Sequence, residues 1–149
     1  MRDLVVAGGG PVGLVTALHA ARAGLDVVVR EPRPGPVDKA CGEGLMPGAV
    51  AGLTGLGVRL DGRPLVGIRY VDAARWVEAP FRHGLGCGVR RTTLHDALSV
   101  AIEAAGVPLE NRAVRQVDDR GDLPRGVGEP TRYLVAADGL HSPVRRMLG

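Results

Sequence analysis

The chain has 149 residues, 45 % of them hydrophobic but only 3 % aromatic, and a formal net charge of +3. That length can bury one core, here built from Val, Leu and Ala, and so few aromatic side chains exclude a base-stacking nucleic-acid platform. All 19 basic residues except Lys39 are arginine and no basic run exceeds two residues, so neither a nucleic-acid nor a membrane patch is expected.

The first apolar run, Leu4 to Ala7, leads directly into Gly8-Gly9-Gly10-Pro11-Val12-Gly13. A helix is expected from Pro11, where a missing N–H costs nothing, to about Ala23, stopped by Gly24. A second apolar run, Val27 to Arg30, is closed by Glu31. Both runs are continuous rather than alternating, which reads as parallel strands covered on both faces. Strand, G-x-G-x-x-G turn, helix and strand together make a dinucleotide-binding unit over residues 3–30. The glycines allow a tight turn and let the backbone approach a pyrophosphate. The helix offers that anion free N–H groups and the positive end of its dipole. Glu31 lies 18 residues after Gly13, near the spacing at which an acid reaches ribose hydroxyls. The duller alternative is a glycine-rich turn that binds nothing; the strand before it, the helix after it and the acid beyond favour the nucleotide.

Prolines at 32, 34 and 36 make the next segment a loop, and residues 39–47 read as irregular. A short helix is expected over residues 49–56, ending at Gly57. Alternation of Val66, Ile68 and Tyr70 with Gly67 and Arg69, followed by Trp76-Val77-Glu78, predicts a small antiparallel ribbon inserted at about 60–88. Leu94, Ala97, Leu98, Ala101, Ile102 and Ala105 fall at helical spacing. They predict an amphipathic helix from Thr93, with Asp96 completing a capping-box-like start, to Gly106. His95 lies off that stripe and is expected in solvent. Residues 108–117 read as a strand and 118–130 as a loop. Tyr133 to Ala137 reads as a buried strand ending in Asp138-Gly139, and Ser142 is expected to cap a last short helix opened by Pro143. His141 lies in a loop and is given no role.

Cys41 and Cys87 have no metal-ligand spacing and make no disulfide framework, so no metal is expected. No apolar stretch reaches membrane-spanning length. The N-terminus opens straight into a strand, so no signal peptide is expected and the cytoplasm is the expected compartment. One α/β domain over residues 1–149 is the reading these features support.

Four stretches together resemble the N-terminal half of FAD-dependent oxidoreductases, namely the aromatic-hydroxylase type of flavin monooxygenase and the neighbouring geranylgeranyl-reductase-like enzymes. They are Gly8 to Leu14, Asp38 to Pro47 (DKACGEGLMP), Gly88 to His95 (GVRRTTLH) and Ala137 to Arg146 (ADGLHSPVRR), and they occur in the family's order. The resemblance implies a Rossmann-like FAD-binding domain of glutathione-reductase type. Gly8, Gly10 and Gly13 would cradle the FAD pyrophosphate, and Glu31 would hold the adenosine ribose. Residues 38–44 would run along the flavin. Arg91, with Arg90 the second choice, would contact FAD, where a guanidinium offers fixed donors and a permanent charge. Asp138-Gly139 resembles the motif placed near the pyrophosphate and associated with NAD(P)H. Pro11, Val12, Arg33, Cys41 and Gly42 complete the implied cofactor-binding set. On the residues alone, Arg90 and Arg91 could be solvated charges, Asp138-Gly139 a turn, and Cys41 an ordinary loop residue.

Family members continue through a second Gly-Asp flavin motif and most of a substrate-binding sheet, and neither is found in this sequence. The expectation is therefore the N-terminal FAD-binding portion of an oxidoreductase, monooxygenase-like with alkene reduction as second choice. It would use NAD(P)H and a small-molecule substrate; the chain is either a fragment of a longer enzyme, or acts with a partner chain or homodimer covering what is missing, or is a reduced relative. No catalytic residue is assigned. The rival from another class is a non-catalytic nucleotide-binding subunit that docks to a partner. A plain NAD-dependent dehydrogenase fits less well, because of the inserted ribbon and Asp138-Gly139.

Overall fold

The computed structural model describes residues 1–39, 41, 43–118, 125–126 and 129–149. The chain opens with β1 (Arg2–Ala7), α1 (Pro11–Arg22) and β2 (Val27–Arg30). β1 and β2 run parallel, with Leu4 facing Val27 and Ala7 facing Arg30. Leu4 to Ala7 and all of β2 are buried, as a sheet covered on both faces requires. Leu4, Val6, Val27 and Val29 pack into the larger core with Leu14, Ala17 and Leu18 of α1. Val5, Ala7 and Val28 turn to a smaller cluster on the opposite face.

From β2 the chain makes a long excursion through β3 (Gly44–Leu45), α2 (Pro47–Gly55), β4 (Arg63–Leu65), β5 (Gly67–Asp72), β6 (Arg75–Pro80), β7 (Gly86–Gly88) and α3 (Arg91–Ala104). β3, β7 and β4 form a small antiparallel sheet. β5 and β6 pair antiparallel as a two-stranded ribbon, Gly67 facing Pro80 and Asp72 facing Arg75. α3 places Leu94, Leu98 and Ile102 in the larger core. The chain then re-enters the main sheet through β8 (Leu109–Glu110), β9 (Val117–Asp118), β10 (Arg125–Gly126) and β11 (Glu129–Ala136), and ends in α4 (Pro143–Leu148).

The main sheet has the order β8-β2-β1-β11-β10-β9. β8, β2, β1 and β11 are parallel neighbours, whereas β10 and β9 pair antiparallel. Strand order thus reverses at β1: the chain first builds to one side through β2 and β8, then returns to the other through β11. Such a switch point opens a crevice beyond the carboxyl ends of the strands, where ligands of open α/β sheets bind.

Helix stops follow the glycines. α1, α2 and α3 each end in a Schellman closure around Gly24, Gly57 and Gly106, with φ of +81°, +78° and +68°. In each, the residue after the glycine donates back into the helix: Leu25 to Ala20, Val58 to Leu53 and Val107 to Ile102, all at 3.0–3.1 Å.

Several local expectations are corrected. α3 begins at Arg91 with Arg90 as N-cap and no side-chain cap, so the Thr93/Asp96 capping box does not form. Of the strand expected over 108–117, only Leu109–Glu110 and Val117, the start of β9, are strand, and β11 begins at Glu129, inside the expected loop. Tyr133 in β11 is 56 % exposed rather than buried; further along the strand Leu134 and Val135 pack against the two cores. No helix among the described residues is long and apolar enough to cross a membrane.

Candidate dinucleotide site

Three strand ends meet at the switch point. Gly8 N donates to Arg30 O at 2.8 Å and Ala137 N donates to Ala7 O at 2.7 Å, which ties the exits of β1, β2 and β11 together. Gly8 has φ +107°, and a Cβ there would run into the backbone of Ala137 and Asp138. A Cβ on Gly13 would collide with the Gly8 carbonyl oxygen. Helix and strand therefore approach more closely than any side chain permits, and both positions need glycine.

α1 starts with Gly10 as N-cap and Pro11 in its first turn. Leu14 N is the first amide to bond back, to Gly10 O at 2.9 Å, so Val12 and Gly13 carry N–H groups without an intrahelical acceptor. Val12 itself is exposed on this turn. Across from it, α3 delivers Arg91: its Nη2 lies 3.6 Å from where a Gly10 Cβ would be. Its Nε is buried and has no hydrogen-bond partner. A buried guanidinium N–H without an acceptor is costly, and here it lies beside a helix N-terminus suited to an anion. Glu43, at φ +52°, accepts from Arg91 N at 3.3 Å and anchors the preceding loop to the start of α3. Arg90 is exposed.

Glu31 is 5 % exposed. Its Oε2 accepts from Gly9 N at 3.0 Å and from Arg33 Nη2 at 2.9 Å; its Oε1 accepts from Arg33 N at 3.1 Å and Arg33 Nε at 2.7 Å. Burial pushes this carboxyl up, but the hydrogen bonds from the Arg33 side chain, Gly9 N and Arg33 N more than offset it and hold it below its ordinary value. The same pairing raises Arg33. Glu31 and Arg33 line a cavity of about 200 Å³ with Gly8, Val114, Asp138 and Val144. This is smaller than the about 300–1,000 Å³ of enclosed ligand pockets, so it suits one moiety of a larger ligand.

Asp138 Oδ2 accepts from Val144 N at 3.0 Å, and Ser142 Oγ accepts from Arg145 N at 2.9 Å, so both side chains serve the start of α4. Gly139, at φ +92°, meets the Lys39 ammonium, whose Nζ lies 3.0 Å from where its Cβ would be. Cys41 is exposed, and its Sγ accepts from Glu43 N at 3.4 Å. Gly42 lies outside the described residues. The structure thus brings Gly8, Glu31, Arg33 and Asp138 around one cavity, with Gly10, Pro11, Val12 and Gly13 on the adjoining turn beside Arg91; Gly139 meets Lys39, and Cys41 makes only its local contact.

His95 is a correction. Expected in solvent, it is 3 % exposed, with Nε2 3.0 Å from Gly9 O and its ring against Gly35. It sits one residue past Leu94, on the flank of the apolar stripe. Segments 60 and 86 positions away in the sequence bury it, and no local pattern carries that information.

The comparisons agree with this fold. No family model matches the chain. It is 36 % identical to the menaquinone reductase of Mycobacterium tuberculosis over 99 % of this chain and 40 % of that protein. It is 32 % identical to the 3-amino-4-hydroxybenzoate 2-monooxygenase of Streptomyces cremeus, over 96 % of this chain and 41 % of that protein. Among solved structures, a 2-methyl-3-hydroxypyridine-5-carboxylic acid oxygenase superposes on all of this chain and 42 % of its own, with a TM-score of 0.83 at 27 % identity. The chain matches the N-terminal part of the flavin-dependent oxidoreductases of the aromatic-hydroxylase and geranylgeranyl-reductase-like family. It spans about 40 % of the length of the curated relatives it matches.

The crevice fits the dinucleotide half of FAD. Its cradle excludes side chains at Gly8 and Gly13, α1 presents amides, and Arg91 holds a buried donor in want of an acceptor.

Proposed function

We propose that this chain is the FAD-binding portion of an NAD(P)H-dependent oxidoreductase, oxygenating its substrate as in the monooxygenase branch, with alkene reduction as the second choice. The observation that carries the reading is Arg91, whose Nε is buried and unpartnered and whose Nη2 lies beside Gly10 of the Gly8–Gly13 turn. FAD, when bound, supplies the redox chemistry, and the protein orients and shields it. Val12 and Gly13 N–H and the α1 dipole bind the pyrophosphate, and Arg91 neutralises it. Glu31 accepts ribose hydroxyls, with one Arg33 donor giving way, because its carboxylate is already filled by four donors. Asp138-Gly139 packs against the turn from the β11 side and keeps that wall of the crevice in place. The small-molecule substrate and the reductant meet the cofactor at parts outside these 149 residues, in the remainder of a longer enzyme, in a partner chain or in a second copy. The two free thiols accord with a cytoplasmic location.

The test is titration of the purified chain with FAD, followed by flavin fluorescence and by co-elution of the colour in gel filtration. Arg91→Ala is expected to weaken binding by about 10- to 100-fold, as loss of a charge-assisted bond does; unchanged affinity overturns the assignment. A second reading, a non-catalytic nucleotide-binding subunit, is favoured by the exposed Val71, Trp76 and Val77 of the β5–β6 ribbon, since uncovered apolar surface associates. It predicts FAD binding without NADPH oxidation.

A further inference from the structure

We infer that His95 is a positioning residue that sets the phosphate-binding turn by fixing the Gly9–Gly10 peptide plane. The inference rests on the reading of that turn as the pyrophosphate site. Three consecutive glycines lack the steric restraint that would hold their peptide planes in one orientation, so something else must supply it. Two side chains from distant elements do. Glu31 Oε2 accepts from Gly9 N at 3.0 Å, which fixes the Gly8–Gly9 peptide. His95 Nε2 reaches Gly9 O at 3.0 Å, which fixes the next one.

A carbonyl oxygen only accepts, so Nε2 carries the proton. Because the peptide is planar and trans, a carbonyl drawn toward α3 turns Gly10 N–H the opposite way. His95 therefore decides the direction of an amide in the anion cradle without touching the ligand. α3 presents Arg91 and His95 one turn apart on the same face: the first reaches over Gly10 and the second grips Gly9. Ser99, a further turn along, donates its hydroxyl to His95 O at 2.9 Å and lies 3.4 Å from Nδ1, backing the ring from behind.

The experiment compares His95→Leu with His95→Gln, whose side-chain amide N–H reaches about as far as Nε2. In FAD titrations of the full chain, His95→Leu is expected to bind about tenfold more weakly, the effect of one lost hydrogen bond. His95→Gln should return to within about threefold of wild type on the same scale. Equal loss in both variants, or no loss in either, overturns the inference. A second measurement needs no flavin. Nitrogen-resolved spectra of the wild-type imidazole should show the Nε2–H tautomer at neutral pH, and Gly10 amide exchange should quicken in His95→Leu but not in His95→Gln. If wild type fails to bind FAD yet shows this tautomer and this exchange pattern, the FAD reading falls and the clamp stands. An Nδ1–H tautomer overturns the clamp whatever the flavin does.

Discussion

At Glu31 a buried carboxylate accepts from one backbone amide of the glycine turn and three donors of Arg33. Glu31→Ala removes the anchor for Gly9 together with the proposed acceptor for the ribose. FAD affinity should drop by at least about tenfold, read by fluorescence titration, and unchanged affinity would remove Glu31 from the site. The same residue predicts a pH dependence. Its folded-state pKa lies below the ordinary value of 4.5, so the unfolded state binds the proton more readily. The stability it contributes is therefore complete above that value and is lost as pH falls through the lower, folded-state pKa. Thermal melts across the acid range should show a flatter acid limb for Glu31→Gln than for wild type, with the two curves parallel at neutral pH.

At the level of elements, glycine carries opposite meanings at two places. Gly106 has φ +68° and nothing within reach of an added Cβ. Gly106→Ala is thus penalised only by the left-handed backbone, about 1–2 kcal/mol, or a thermal midpoint lower by about 2–8 °C. Gly13→Ala drives a methyl into the Gly8 carbonyl, so it should abolish flavin binding by displacing the turn; calorimetry and titration separate the two outcomes. This contrast explains what was legible in the sequence. Helix stops at Gly24, Gly57 and Gly106 could be read because positive φ demands glycine, and the β1–turn–α1–β2 unit because its apolar runs are continuous. The start of α3 could not, since Arg90 caps nothing and Glu43 comes from 48 positions away. His95 was missed for the same reason: Gly9 and Gly35, not its own helix, bury it. Arg91 was legible as a family-like position, but its unpartnered Nε is a fact of packing alone.

At the scale of the whole molecule, the core and the ribbon differ sharply. Leu98 is fully buried in the larger core, and Leu98→Ala should cost about 2–5 kcal/mol, measured by denaturant unfolding. The β5–β6 ribbon has six residues per strand and exposed side chains along almost its entire length, Trp76 under the Arg69 guanidinium included. An isolated two-stranded ribbon is marginal in water, so its amides should exchange well before those of β1 and β2; equal protection would show that it is held by contacts beyond its own pairing. β1 has its first neighbour within 30 residues, but its second, β11, pairs Arg2 with Thr131. During synthesis the opening unit therefore emerges with one flank bare, its valines and unpaired amides open to any passing strand. The strand that completes this edge is finished only when residues 129–136 have left the ribosome, so chaperone dependence should be greatest before that point.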